Sequence, residues 1–413
     1  MSRKVSLGAA VSAAALAAAV AVSLTYVYAM GKFNEKLADV NERQAMYTKL
    51  AEVDRSVRQE YDGEWSEAEL RDSACMGYLA GLQDPNSEYF SAQEYKAILD
   101  SEAEPESGIG VRTIQGTDGN MEIVRVLAGS SGEEAGLRAG DVIFELNGEN
   151  VVRIGYGTAV KSLKGRAGSS AALSVLRTDK EGVTKVLSFS VPRTDQGNDS
   201  IESRALAGEL GYLSIRSFDN GTPQCLQDAY TVLRQQGIRG VILDLRDNSG
   251  EDMEAMALAV DRIVPAGVTV CCEKQDGTVE TEKTSDAASW DLPVAVLINS
   301  GTEGAAEVFA ADVRCLYGGI LVGEKSMGNA PMVKTVMLSD GSAVRFTAAQ
   351  YLTPDGETIS GAGLVPDMQA ALSEEEHAKL LRGTLEKEAD VQLRAAVAAL
   401  SAQGVDSGDF PVL

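Results

Sequence analysis

The chain has 413 residues, of which 44% are hydrophobic and 24% charged. That is enough for two or three domains. Its formal net charge of −24 argues against binding nucleic acid or anionic lipid through a basic face. The five cysteines, Cys75, Cys225, Cys271, Cys272 and Cys315, are scattered and include no Cys-x-x-Cys pair. Neither a metal site nor a disulfide framework is indicated, and no cofactor is called for.

Arg3 and Lys4 precede an uncharged run over residues 5–30, long enough to cross a bilayer as a helix. The leading positive charges place the bulk of the chain outside a cell membrane on a single-pass anchor. A cleaved signal peptide is the rival, since Val27-Tyr-Ala29 fits a cleavage site. Residues 31–64 read as a helical stalk. Leu37, Val40, Met46, Leu50 and Val53 make an apolar stripe that either pairs with another copy or packs on the body.

Residues 65–106 form a helical segment. It starts at Ser66 with acidic residues behind it and ends before Asp84-Pro85, because proline cannot continue a helix. In residues 107–192, Ser107-Gly108-Ile109-Gly110-Val111 opens an ordered series. Its small residues let backbone amides approach an anion closely. Ile123–Val126 is a short strand. Residues 134–148 end in Asn147-Gly148, a two-residue hairpin turn. Residues 159–177 follow as helix, glycine-rich turn and strand.

From residue 193 to 370 a second pattern appears. Val241-Ile-Leu-Asp-Leu-Arg-Asp-Asn-Ser-Gly250 is an apolar strand ending in a polar loop. Leu297-Ile-Asn-Ser-Gly-Thr-Glu-Gly-Ala-Ala-Glu-Val-Phe309 is a buried strand, a tight turn and an apolar helix. Val322-Gly-Glu-Lys-Ser-Met-Gly-Asn-Ala-Pro-Met-Val333 is a strand entering a glycine loop. Asp340-Gly341 marks a hairpin, and residues 351–367 close the pattern. Residues 371–413 read as a charged helical tail. The only histidine, His377, stands there among Glu374, Glu375, Glu376 and Lys379, which reads as a solvated helix face.

These motifs resemble the carboxyl-terminal processing, or tail-specific, proteases, and residues 107–192 resemble a PDZ domain. The resemblance implies an α/β class: an N-terminal transmembrane helix, a β-barrel-like PDZ domain, and a sheet-and-helix core of crotonase or ClpP type. It also implies that residues 107–111 bind protein C-terminal peptides. The family uses a Ser–Lys dyad, supported by a Gln. With Glu307 fixing the first register and Gly323, Glu324 and Gly328 the second, these positions fall on Gly304, Asn329 and Val333. The implied oxyanion loop involves Gly250 and Ala305. Glu251, where the family has glycine, adds a carboxylate beside that loop, and Ser249 replaces a proline.

Two readings stay open. One is a pseudoprotease that holds tails without cutting, with no catalytic residues, as a homodimer or beside an active relative. The other is an active serine endopeptidase with a relocated dyad: Ser300, Thr302 or Ser326 as nucleophile and Lys325 as base. Glu303 and Glu307 read as residues that favour a helix N-terminus. A third possibility is a structural dimer whose PDZ fold binds nothing.

Overall fold

Runs of Val, Ile and Leu without alternation form strands buried on both faces, and those strands make the centre of the molecule. The computed structural model describes residues 44–102, 106–194, 200–250, 252–286 and 289–411, with isolated positions between 23 and 30. It falls into two compact units, Met1–Arg71 and Asp72–Leu413.

In the first unit, residues 44–60 are helical and largely exposed. Met46, Leu50 and Val53 of the expected stripe are all exposed, whereas Leu37 and Val40 lie outside the described residues. The 5–30 run also lies almost wholly outside them. Among the described residues, no helix is long and apolar enough to cross a membrane. The spanning helix of the sequence reading therefore has no support in the structure.

In the second unit, β1 (Glu88–Phe90) precedes the PDZ region. That region holds β2 (Val111–Gln115), β3 (Met121–Val126) and β4 (Val142–Leu146), then helix α1 (Tyr156–Leu163). The long hairpin β5 (Ser170–Thr178) and β6 (Thr184–Pro192) completes it. The sheet order is β2-β3-β4-β5-β6, so β2 is an edge strand. Asn147 and Gly148 both take positive φ, 54° and 84°, as a type I′ turn requires.

The core sheet comprises β7 (Ile201–Ala205), β8 (Leu210–Ile215), β9 (Gly240–Asp244), β10 (Val294–Ile298), β11 (Ile320–Gly323) and β12 (Met368–Gln369), in that order. All neighbours are parallel except β7 with β8. Alternation sorts the side chains. Val241, Leu243, Val296 and Ile298 face a cluster with Leu226, Met256 and Phe309. These three come from helices α2 (Thr222–Gln235), α3 (Met253–Val260) and α4 (Ala305–Asp312). Ile242, Ala295 and Leu297 face Leu393, Ala396, Val397 and Leu400 of the last helix, Val391–Ala402. The expected charged tail thus contributes one whole wall of the core. Its small buried residues Ala395, Ala396 and Ala399 let the helix sit close to the sheet.

The second sheet of the core joins distant parts of the chain. Ala343–Leu352 pairs with β1, with Gly267–Glu273 and with Pro331–Met337. The segment read as a separate helical region before the PDZ domain is therefore stitched into the protease-like body. Asp84, in the Asp-Pro turn, accepts hydrogen bonds from Thr347 N (3.0 Å) and Thr347 Oγ1 (3.1 Å), besides Ser87 Oγ and Asn86 N.

Candidate functional site

Strand β10 delivers the chain to the turn Asn299–Gly304 at the carboxyl edge of the parallel sheet, where such folds place their sites. Gly304 caps α4 at φ 60°, ψ −127°, a sharp strand-to-helix turn of the kind that presents a nucleophile. A side chain at that φ is strained, and glycine adopts it freely. Asn329 lies alongside: Gly304 N donates to Asn329 O at 2.9 Å. This bond brings together the two positions expected from the resemblance to carry a dyad, and Gly304 and Asn329 offer neither a hydroxyl nor an amine. Val333, aligned with the supporting Gln, is exposed on the strand Pro331–Met337.

The loop after β9 closes against this turn. Asn248 Nδ2 anchors it to Ile215 O at 2.8 Å, and Asn248 O accepts from Glu303 N at 3.0 Å. Gly250 N donates to Asn248 Oδ1 at 2.8 Å, and Ala305 N donates to Gly250 O at 3.0 Å. Both amides expected to form an oxyanion hole are therefore spent within the protein. A Cβ on Gly304 would stand 2.9 Å from Gly250 O and 3.1 Å from Ser249 O. Glu251 lies outside the described residues.

Glu307 does more than favour a helix start. It is fully buried and accepts from the Ser326 hydroxyl, from Gly328 N at 2.7 Å and from Asn329 N at 2.9 Å. Burial pushes its carboxyl up, against these hydrogen bonds. Glu303 Oε2 takes the Asn329 side-chain amide at 3.1 Å. Two carboxylates on α4 and its entry turn thus clamp the loop 326–329. Neither role shows in the local sequence, because the partners lie some twenty residues away.

The relocated-dyad candidates do not assemble. Thr302 is fully buried, donates to Leu245 O at 2.9 Å and accepts from Asn299 N at 3.0 Å. Ser326 is buried, donates to Glu307 and accepts from Leu364 N at 2.7 Å. Ser300 and Lys325 are exposed. A nucleophile needs a base within hydrogen-bond reach and an open approach, and no candidate has both.

His377 departs from the expected solvated face. It sits on α5 (Glu374–Leu381), whose start is fixed by the Ser373–Glu376 capping box. Its Nε2 lies 2.9 Å from Asp247 Oδ1, and Asn299 Nδ2 also donates to that oxygen at 3.0 Å. Asp247 N returns a bond to Asn299 Oδ1 at 2.9 Å. Asp247 has φ 57°, rare for a residue with a side chain. The hydrogen bond to Asp247 raises the His377 imidazole, while burial opposes it. Beneath, Arg246 pairs with Asp244 at 2.6 Å and Asp390 at 2.9 Å, fixing the root of the loop to the last helix. Among the described residues, no group of three His, Cys, Asp or Glu side chains is gathered as a metal would need.

The second candidate surface is the PDZ loop. Ser107 and Ile109 are buried and Gly110 has φ 70°. The carbonyls of Gly108, Ile109 and Gly110 accept from Thr194, Gly132 and Leu127 at 2.8–3.0 Å. Among the described residues, the amides of Ile109 and Gly110 make no hydrogen bond.

Comparison with known proteins bears on both surfaces. Residues 209–370 match the Peptidase family S41 model, and residues 122–177 match a PDZ domain. The carboxy-terminal processing protease CtpA of Bacillus subtilis is 30% identical over 335 residues, covering 81% of this chain and 70% of that protein. A probable CtpA-like serine protease of Staphylococcus epidermidis is 29% identical, covering 79% and 66%. Among solved structures, the photosystem II D1 C-terminal processing protease superposes with a TM-score of 0.54. It is 26% identical, over 75% of this chain and 84% of that one. The chain belongs to the carboxyl-terminal processing protease family, joining a PDZ domain to an S41 peptidase core.

Proposed function

We propose that this family member is a pseudoprotease: it holds the C-terminal tails of other proteins in its PDZ groove and does not cut them. One observation carries the reading. The Ala305 amide bonds to Gly250 O against a Gly304 that has no side chain, so the turn is packed shut where a reacting carbonyl would need room and donors. Asn329 at the base position supports it, since an amide does not take up a proton. The paired anchors of the sequence, Arg3 and Lys4 before the apolar 5–30 run, support a place on the outer side of a membrane. The exposed Met46, Leu50 and Val53 support pairing with a second copy or an active relative.

The test of tail binding uses the full chain in detergent and a fluorescent peptide with an apolar C-terminus, made as free acid and as amide. Tighter binding of the acid supports the reading. Equal binding of both, or none, contradicts it, because the 107–111 loop recognises the terminal carboxylate.

A further inference from the structure

Unlike α2, α3, α4 and the last helix, α5 buries no side chain fully. Apolar burial therefore supports its docking less than theirs, and polar contacts carry more of it. Before its start, Leu372 N donates to Glu324 Oε1 at 3.0 Å. In its middle, the half-buried His377 reaches Asp247 Oδ1 at 2.9 Å. Just past its end, Arg382 pairs with Glu122 at 2.9 Å.

Through His377, α5 rests on the loop 246–250. Asp247 there holds φ 57°, a conformation that persists in a non-glycine residue only where neighbours over-determine it. Asn299 does so through its bonds at 2.9 and 3.0 Å, and His377 does so from the other element. The same loop closes on the turn at Gly304, because Asn248 O and Gly250 O accept from Glu303 N and Ala305 N at 3.0 Å. Helix α5 thus braces the loop that packs the turn shut.

Of these tethers, only the imidazole changes its charge near neutral pH. Two carboxylates face it, Asp247 from the loop and Glu324 from just beyond β11, together with the Arg246 guanidinium. Arg246 is already matched by Asp244 and Asp390. On α5 itself, Glu376 is engaged by Ser373 and Lys379 by Glu375. A protonated ring offsets the two carboxylates, whereas a neutral ring leaves both negative charges at the contact.

We propose that α5 is a pH-operated clasp. It holds the loop 246–250 against the turn at Gly304 while His377 carries a proton, and it lets go as that proton is lost. The hydrogen bond to Asp247 raises the imidazole, against burial. Docking is therefore favoured fully below the undocked value, and that advantage fades as pH rises through the docked one.

Release of α5 exposes the bonds after Lys379 and Arg382 to trypsin. Cutting follows the released population when closing is fast. The full-length protein is digested at pH 6 and pH 8.5 beside an unstructured reporter peptide, whose own cleavage corrects for the pH dependence of trypsin. Cuts after Lys379 and Arg382 are followed by mass spectrometry. The natural protein is expected to be cut about fivefold faster at pH 8.5 after correction, the scale of a partly exposed ion pair. His377→Gln keeps a hydrogen-bond donor but does not titrate, so it should be cut at the faster rate at both pH values. Thermal unfolding is recorded for each protein alongside. Asp247→Asn removes the partner's charge instead and should also be cut fast at both, which decides the matter if His377→Gln does not fold. A corrected rate that does not change with pH in the natural protein overturns the clasp, as does a rise that persists in either variant.

Discussion

Ala305 N donates to Gly250 O at 3.0 Å, joining the helix start after Gly304 to the loop after the neighbouring strand. The joint is as tight from the other side: a Cβ on Gly250 would stand 2.4 Å from Ala306 N. The turn and the loop therefore constrain each other, and each needs a glycine at the crossing.

Restoring the family nucleophile by Gly304→Ser meets both obstacles at once, the φ of 60° and the Gly250 carbonyl 2.9 Å away. The expected loss of stability is about 1–3 kcal/mol, read as a lower midpoint in urea with an unchanged slope. Adding Asn329→Lys is expected to give no hydrolysis, because the loop still consumes the Ala305 amide. Turnover by this double variant would show that the loop withdraws readily.

His377 is the only histidine, so its imidazole proton signals titrate alone in an NMR spectrum. The Asp247 hydrogen bond places its midpoint above the 6.5 of an unconstrained imidazole. A raised value means that the pairing stabilises the fold fully below the unfolded pKa and fades as pH rises through the folded one. The stability gap between the natural protein and His377→Leu should therefore shrink from pH 6 to pH 9. Asp247→Asn should bring the midpoint down. A midpoint at or below 6.5 in the natural protein would contradict the pairing.

Asp312 ends α4 fully buried, and among the described residues neither carboxylate oxygen has a hydrogen-bond partner. Burial raises its pKa well above the usual carboxylate range. The cost is absent below the unfolded value near 3.8 and grows as pH rises, because only the unfolded chain ionises freely. Asp312→Leu is expected to stabilise the protein at pH 7 by about 1–3 kcal/mol, with a smaller gain at pH 3.5. Paired denaturant melts at the two pH values check both size and sign.

Asp84 runs the other way. Burial pushes its carboxyl up, but hydrogen bonds from Thr347, Ser87 and Asn86 outweigh it and hold the value at about 2. A lowered pKa stabilises above the unfolded value, near 3.8, and the gain is lost as pH falls toward about 2. Asp84→Ala, which also frees the turn from Thr347, should cost about 1–3 kcal/mol at pH 7 and less at pH 2.5.

Local chemistry made much of this legible in the sequence. Apolar runs identified β9 and β10, Asn147-Gly148 identified its hairpin, and the family resemblance, anchored on Glu307 and Gly328, implied that Gly304 and Asn329 share one site. What stayed hidden depends on long-range partners. No local pattern shows that Glu307 would accept bonds from residues 326, 328 and 329, or that His377 would reach Asp247. The last helix is legible as a helix but not as part of the core, because its charged neighbours hide the stripe Leu393, Ala396, Val397 and Leu400, which covers one face of the sheet. The occupied amides of Gly250 and Ala305 were equally out of reach, since sequence marks where a loop lies but not which way its peptide planes turn.

The most direct test is a time course of the full-length protein with an unfolded substrate bearing an apolar C-terminal tail, read by intact-mass spectrometry. A pseudoprotease leaves the substrate mass unchanged while the tail is bound. Discrete fragments that vanish in Thr302→Ala, Ser326→Ala or Lys325→Ala would contradict it and establish a relocated catalytic centre.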